Sequence, residues 1–175
     1  MRDVPVPDDE IIDPPARRAL VDPEFHWYNR DQCRSPIPWT PAPNGHGFST
    51  GRPWLRLADD ADRRNVEVQA ADPASVLATY RRLIRRRATT EPLLTGRLER
   101  VPSGADDVLA WTRTTAEARV LVVLNLADGT REASLDVLAD GGWRALDGTH
   151  LDPTEPDPTG RLALRPLEGV ILEAG

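Results

Sequence analysis

The chain has 175 residues and a mass of 19.4 kDa, enough for one ordinary domain or a small domain with a long irregular extension, and too short for a full (β/α)8 barrel of about 250 residues. Its 22 basic residues, all arginine, stand against 28 acidic ones for a net charge of −6, which argues against a surface that gathers phosphate backbones, so no nucleic acid is expected as partner. A single cysteine, Cys33, excludes an intramolecular disulfide framework and a cysteine-rich zinc site, and fits a reducing compartment. The start MRDVPVPDDE has neither the positive charge nor the apolar run of a signal peptide. No stretch approaches the roughly 18 apolar residues of a membrane span. The expectation is a soluble, cytoplasmic protein that needs no membrane.

Residues 1–72 are dense in Pro, Asp, Arg and Trp and carry neither a sustained 3.6-residue nor an alternating apolar pattern, so regular structure should be sparse. Irregular segments of that length are uncommon in a compact domain. Disordered tails are poor in aromatic residues, yet Trp27, Trp39 and Trp54 all fall here, and such rings expect a partner surface.

The stretch Asp72 to Arg87 is the clearest helix, with Asp72 expected at the N-cap and Pro73 at the first helical position. Val76, Leu77, Tyr80, Leu83 and Ile84 recur at three and four residues and give one apolar face, while arginines 81, 82, 85, 86 and 87 read as a solvated face near the helix C-terminus. From about Leu93 onward come short runs, RLERV, DVLAWTR, RVLVVLNL, EASLDV, WRAL, RLALR and VILEA, separated by Gly, Pro and Asp turns such as Asp140-Gly141-Gly142. That spacing predicts an antiparallel β-sandwich. Val120 to Leu126 should be a central strand covered on both faces, and Glu132 to Val137 should have one wet face. The fold class expected is mainly β: a sandwich preceded by a long irregular segment and one amphipathic helix.

The densest unusual residues are YNRDQCRSPIPW, Tyr28 to Trp39, followed by NGHGFSTGRPW, Asn44 to Trp54. Arg30 and Arg34 with Asp31 between them could grip hydroxyls or a carboxylate through their donor forks, or could form an ion-pair network that pins the loop. His46, between glycines, reads as a loop residue because no further ligands stand at zinc spacing. Cys33 reads as a small buried side chain. Trp111 and Trp143 read as core packing, with a sugar-stacking platform as the alternative.

The run Arg30-Asp31-Gln32-Cys33-Arg34-Ser35-Pro36-Ile37-Pro38-Trp39, the turn Gly47-Phe48-Ser49 and the pair Pro53-Trp54 resemble, in order and spacing, the loop after the eighth barrel strand in α-glucosidases of the α-amylase family. The likeness continues through Asn65-Val66-Glu67-Val68-Gln69 and Tyr80-Arg81-Arg82-Leu83-Ile84, similar to the family's last barrel helix. Asp3 to Pro7 resembles the stretch just after the family's eighth strand, and the β-rich tail with its closing Leu167 to Leu172 is similar to the family's C-terminal sandwich.

The resemblance implies that residues 1–90 are the end of a catalytic (β/α)8 barrel, with seven of its strands absent, and that 91–175 are the C-terminal sandwich. It implies an arginine near the −1 sugar, matched to Arg34 first and Arg30 second; no cofactor or metal is expected. Retaining hydrolysis of α-glucosidic bonds in maltose-type oligosaccharides needs two carboxyl groups about 5–5.5 Å apart. None of the motifs carrying the family's nucleophile, acid/base and third carboxylate is matched here, so this chain by itself is expected to be inactive. An α-glucoside would bind only once a catalytic barrel completes the site, and a separate barrel chain is the expected partner. A truncated gene, a misplaced start and a two-chain enzyme would each account for such a sequence. The alternatives are a non-catalytic carbohydrate-binding or partner-docking sandwich, and an inactive regulatory chain that associates with an intact homologue.

Overall fold

The computed structural model describes residues 3–139 and 141–175. Asp140, the first residue of one expected turn, lies outside the described residues. The chain packs as two compact units, one ending at Asp72 and one spanning Pro73–Gly175. This division falls before the amphipathic helix, whereas the resemblance places the boundary at 90/91.

The first unit is irregular, as its composition implies, but among the described residues it holds two short α-helices besides isolated 3-10 turns. Helix α1, Pro14–Val21, starts on Pro14 and Pro15, whose fixed φ and missing N–H suit a first turn. Helix α2, Val66–Ala71, is capped by Asn65, whose side chain accepts from the Val68 N–H.

In the second unit, α3 spans Val76–Thr89 and is capped by Ser75, whose Oγ accepts from the Ala78 N–H at 3.1 Å. The helix therefore starts three residues later than Asp72 and Pro73 suggest. Asp72 instead ends α2 with extended dihedrals of φ −99° and ψ 111°, the conformation that a following proline favours. A short helix α4, Glu91–Thr95, leads into the sheet.

The described strands are β1 (Arg97–Val101), β2 (Val108–Thr114), β3 (Arg119–Asn125), β4 (Arg131–Ser134), β5 (Trp143–Gly148), β6 (Arg161–Leu164) and β7 (Gly169–Ala174). They form a five-stranded sheet in the order β1-β2-β3-β7-β5 and a two-stranded β4-β6 pair, antiparallel throughout. Each strand coincides with one of the seven runs. Central β3 buries Val120, Leu121, Val122 and Val123 in succession, as a strand covered on both faces must. Leu121 and Val123 join Leu135, Leu162, Leu164 and Leu172 in the core between the sheets, while Val120 and Val122 pack with Leu93 on the other face. Trp111 and Trp143 are half-buried against these two clusters.

The helix meets the sheet through charge. Arg82 and Arg86, expected on a wet face, turn toward β5, where both reach the buried Asp147. Arg82 Nε donates to Oδ1 at 2.8 Å and Arg86 Nε to Oδ2 at 3.2 Å. Asp147 follows a register shift in the β5–β7 pairing. Meanwhile Val76, Tyr80 and Ile84, the bulk of the expected apolar face, are 64–66% exposed. The apolar stripe is real but split: Leu83 borders a small cleft with Val122, Leu124 and Ile171 of the sheet, while Val76, Tyr80 and Ile84 stay in the open.

Candidate functional site

The loop that carries Arg30 and Arg34 is shaped by a 3-10 turn over Arg30–Cys33, entered at Asn29, whose side chain accepts from the Asp31 N–H at 3.0 Å. The turn sends Asp31 inward, fully buried, and leaves Cys33 exposed. Cys33 is thus not the buried side chain expected, because the turn places its position outward. Its thiol lies 3.2 Å from the Arg30 carbonyl.

Buried Asp31 is well supplied with donors. Its Oδ2 accepts the N–H groups of Ile12 at 2.7 Å and Asp13 at 2.9 Å, and its Oδ1 accepts Arg34 Nη2 at 3.0 Å. Asp13 is equally buried and takes Arg30 along one edge of the guanidinium, Nη2 on Oδ1 at 2.5 Å and Nε on Oδ2 at 3.1 Å. The Arg30 backbone N–H adds a contact at 3.3 Å, and Arg34 Nη2 lies 3.5 Å from Asp13 Oδ1. Hydrogen bonds from Arg30 hold the Asp13 carboxyl below the usual carboxylate range against the opposing pull of burial.

The two arginines differ from the acids in exposure: Arg30 keeps 49% and Arg34 40% of its side chain accessible. Arg30 lies over the Trp27 ring at 5.7 Å and Arg34 over Trp54 at 5.8 Å, cation–π arrangements that further define each plane. Trp54 also borders a groove of about 320 Å³ whose walls include Asp9, Glu10, Arg17, Arg52 and Arg56. Chemically, the site offers two oriented guanidinium groups beside aromatic faces and charged walls, a set suited to a polyhydroxylated ligand.

Of the sequence-derived candidates, Arg30, Asp31 and Arg34 come together. His46 stands apart in its own turn, where its Nδ1 lies 3.2 Å from the Thr40 carbonyl. Its backbone is left-handed at φ 48°, between Gly45 and Gly47 at φ 68° and 72°. Glycine is needed at 47 on two counts, since a Cβ there would also stand 3.2 Å from Trp39 Cβ. The residue that sequence reading missed is Asp13. It sits 17 positions before Arg30, and its only local signal, Asp before Pro-Pro, reads as a helix start.

The family described as alpha amylase, catalytic domain, matches residues 1–96. A probable alpha-glucosidase of Rhizobium meliloti is 37% identical over 61% of this chain and 18% of its own length. An oligo-1,6-glucosidase of Heyndrickxia coagulans is 32% identical over 81% of this chain and 24% of its own. The crystal structure of an alpha-glucosyl transfer enzyme superposes with a TM-score of 0.81 at 30% identity, covering 100% of this chain and 31% of that one. The chain thus spans between about a sixth and a quarter of the length of these curated relatives.

Proposed function

Because the chain belongs to the α-amylase family of glycoside hydrolases, whose catalytic domain matches residues 1–96, we propose that it supplies the substrate-holding loop and C-terminal sandwich of an α-glucosidase. The observation that carries this reading is the pair of arginines whose guanidinium planes are set by buried carboxylates while about half of each side chain stays accessible. A sugar hydroxyl that leaves water must recover its hydrogen bonds, and a fixed fork of N–H donors returns them without further ordering.

In this reading Arg34 holds the terminal glucose of a maltose-type α-glucoside in the −1 subsite and Arg30 supports it. The chemistry is retaining hydrolysis, in which one carboxylate attacks and another protonates the leaving oxygen, and it calls for no cofactor. Those carboxylates come from the remainder of a catalytic barrel, on this or a second polypeptide. The exposed stripe of Val76, Tyr80 and Ile84, together with Trp27, Trp39 and Trp54 at 48–60% exposure, supplies apolar surface for that barrel to cover. Among the described residues no helix is long and apolar enough to cross a membrane. The proposed location is the cytoplasm, with neither nucleic acid nor membrane as partner.

The test is complementation. The 175-residue chain alone is expected to release no glucose from maltose, isomaltose or p-nitrophenyl α-glucoside. Co-expressed with the barrel portion of an oligo-1,6-glucosidase relative, it should do so. In that assembly Arg34→Ala should lower kcat/KM about a hundredfold, the scale of losing charged hydrogen bonds to substrate. A folded assembly inactive on all three substrates, or one indifferent to Arg34→Ala, would sink the reading.

A further inference from the structure

We propose that Asp13 is a positioning residue, which with Asp31 sets the Arg30 and Arg34 guanidinium groups so that their remaining N–H donors are presented to a sugar's hydroxyl groups. This rests on the functional reading above and names a residue that the reading does not require.

Two prolines follow Asp13 in the chain. An Asp at a helix N-cap ordinarily spends its carboxylate on the N–H of the second or third helical residue. Here Asp13 precedes Pro14 and Pro15 and makes no such side-chain cap, although the Arg17 N–H still reaches its carbonyl at 3.0 Å. Pro15 removes one of the two donors such a cap could use, and the carboxylate makes no bond to the other, the Ala16 N–H. It turns to Arg30 instead.

The clasp is reciprocal. Asp13 takes the Arg30 backbone N–H and side chain, while Asp31 takes the backbone N–H groups of Ile12 and Asp13. Each acid thereby holds the segment bearing the other. Neutralising a buried carboxylate would need only one charge contact, but Arg30 binds along its Nε/Nη2 edge, which fixes both plane and rotation. Arg34 is held at the same edge, with Nε on the Arg30 carbonyl at 3.2 Å and Nη2 on Asp31 at 3.0 Å. Among the described residues neither Nη1 donates to a protein acceptor, so each side chain, 49% and 40% accessible, keeps the same donors unspent. The rotamer freedom of two long side chains is given up during folding rather than on ligand binding, which favours affinity.

Asp13→Asn and Arg30→Lys test this in two ways. In the full chain, nitrogen NMR of the arginine side chains should show slow rotation and a shifted Nε–H signal for Arg30; Arg30→Lys, which has no guanidinium, assigns that signal, and Asp13→Asn should abolish the slow rotation and the shift. In the barrel-complemented enzyme, Asp13→Asn should raise KM about tenfold and leave kcat within about twofold, the pattern of lost binding shared by ground and transition states. Glu168→Gln, in the other unit, serves as control: it should lower the melting temperature and leave KM unchanged. The proposal is overturned if Asp13→Asn leaves the Arg30 signal intact, or if its KM matches that of the control. A complemented wild-type enzyme without activity overturns the functional reading and with it any role of the clasp in ligand positioning, while the NMR signal still reports whether the clasp exists.

Discussion

Glu168→Gln is expected to cost the second unit about 3 kcal/mol at neutral pH and to lower its melting temperature by roughly 15 °C. Glu168 is fully buried. Its Oε1 accepts the Thr154 N–H at 3.1 Å and Arg165 Nη2 at 2.6 Å, while Oε2 accepts the Thr154 hydroxyl and the Arg165 N–H at 2.8 Å each and Arg165 Nε at 3.1 Å. Burial pushes this carboxyl up, but the donors outweigh it and bring it from its ordinary 4.5 down to about 2. Because the folded value lies below the unfolded one, the stabilisation is complete above about pH 4.5 and is lost as pH falls toward 2. Glutamine keeps one acceptor and aims an NH2 at groups that are themselves donors. The same network holds Leu167 at φ 54°, a strained conformation that neighbouring bonds must over-determine. Thermal melts from pH 7 to pH 3 check this: the wild type should lose stability below about pH 4.5 while the variant, already deprived, should change less. Equal melting of the two proteins at neutral pH would refute the assignment.

Asp147→Ala should detach α3 from the sheet, at a cost of about 3 kcal/mol, because removing one partner leaves two arginines without their shared carboxylate. Burial raises the Asp147 carboxyl, yet hydrogen bonds from Arg82, the Gly148 N–H and Arg86 hold it below the ordinary range. Arg82 also donates to the Gly148 carbonyl at 2.6 Å, so one side chain staples the helix at two points. Hydrogen exchange is the discriminating readout. The amides of α3 should lose protection in the variant while those of β3 and β7 keep theirs, and uniform loss of protection would mean that the helix is not separately anchored.

How far the sequence announces this structure depends on what kind of contact makes each part. The sandwich is legible because its strands are short apolar runs bounded by Gly, Pro and Asp, and β3 shows its double burial as an unbroken apolar stretch. The helix is legible in existence and period but not in orientation. Apolar periodicity at Val76, Tyr80 and Ile84 marks a face without saying that Asp147, far along the chain, draws the arginine-bearing face to the sheet. The loop site is half legible for the same reason. Arg30, Asp31 and Arg34 announce themselves by proximity, whereas Asp13 depends on a contact 17 residues away and on a side-chain cap that the helix start leaves unmade. Charged long-range pairs leave no periodic trace, which is why both omissions are carboxylates.

Helix α3 belongs to one neighbourhood by descent and to another by attachment: the catalytic-domain match runs to residue 96, yet the compact unit that holds the helix begins at Pro73. A chimera spliced at the homology boundary would pair a foreign sandwich with this helix and strand Arg82 and Arg86 opposite a strand that need not carry an acid. Spliced between Asp72 and Pro73, the helix would travel with its own seat. Module exchange within this family is therefore expected to succeed at the earlier junction and to fail at the later one wherever the incoming strand lacks a carboxylate at the position of Asp147.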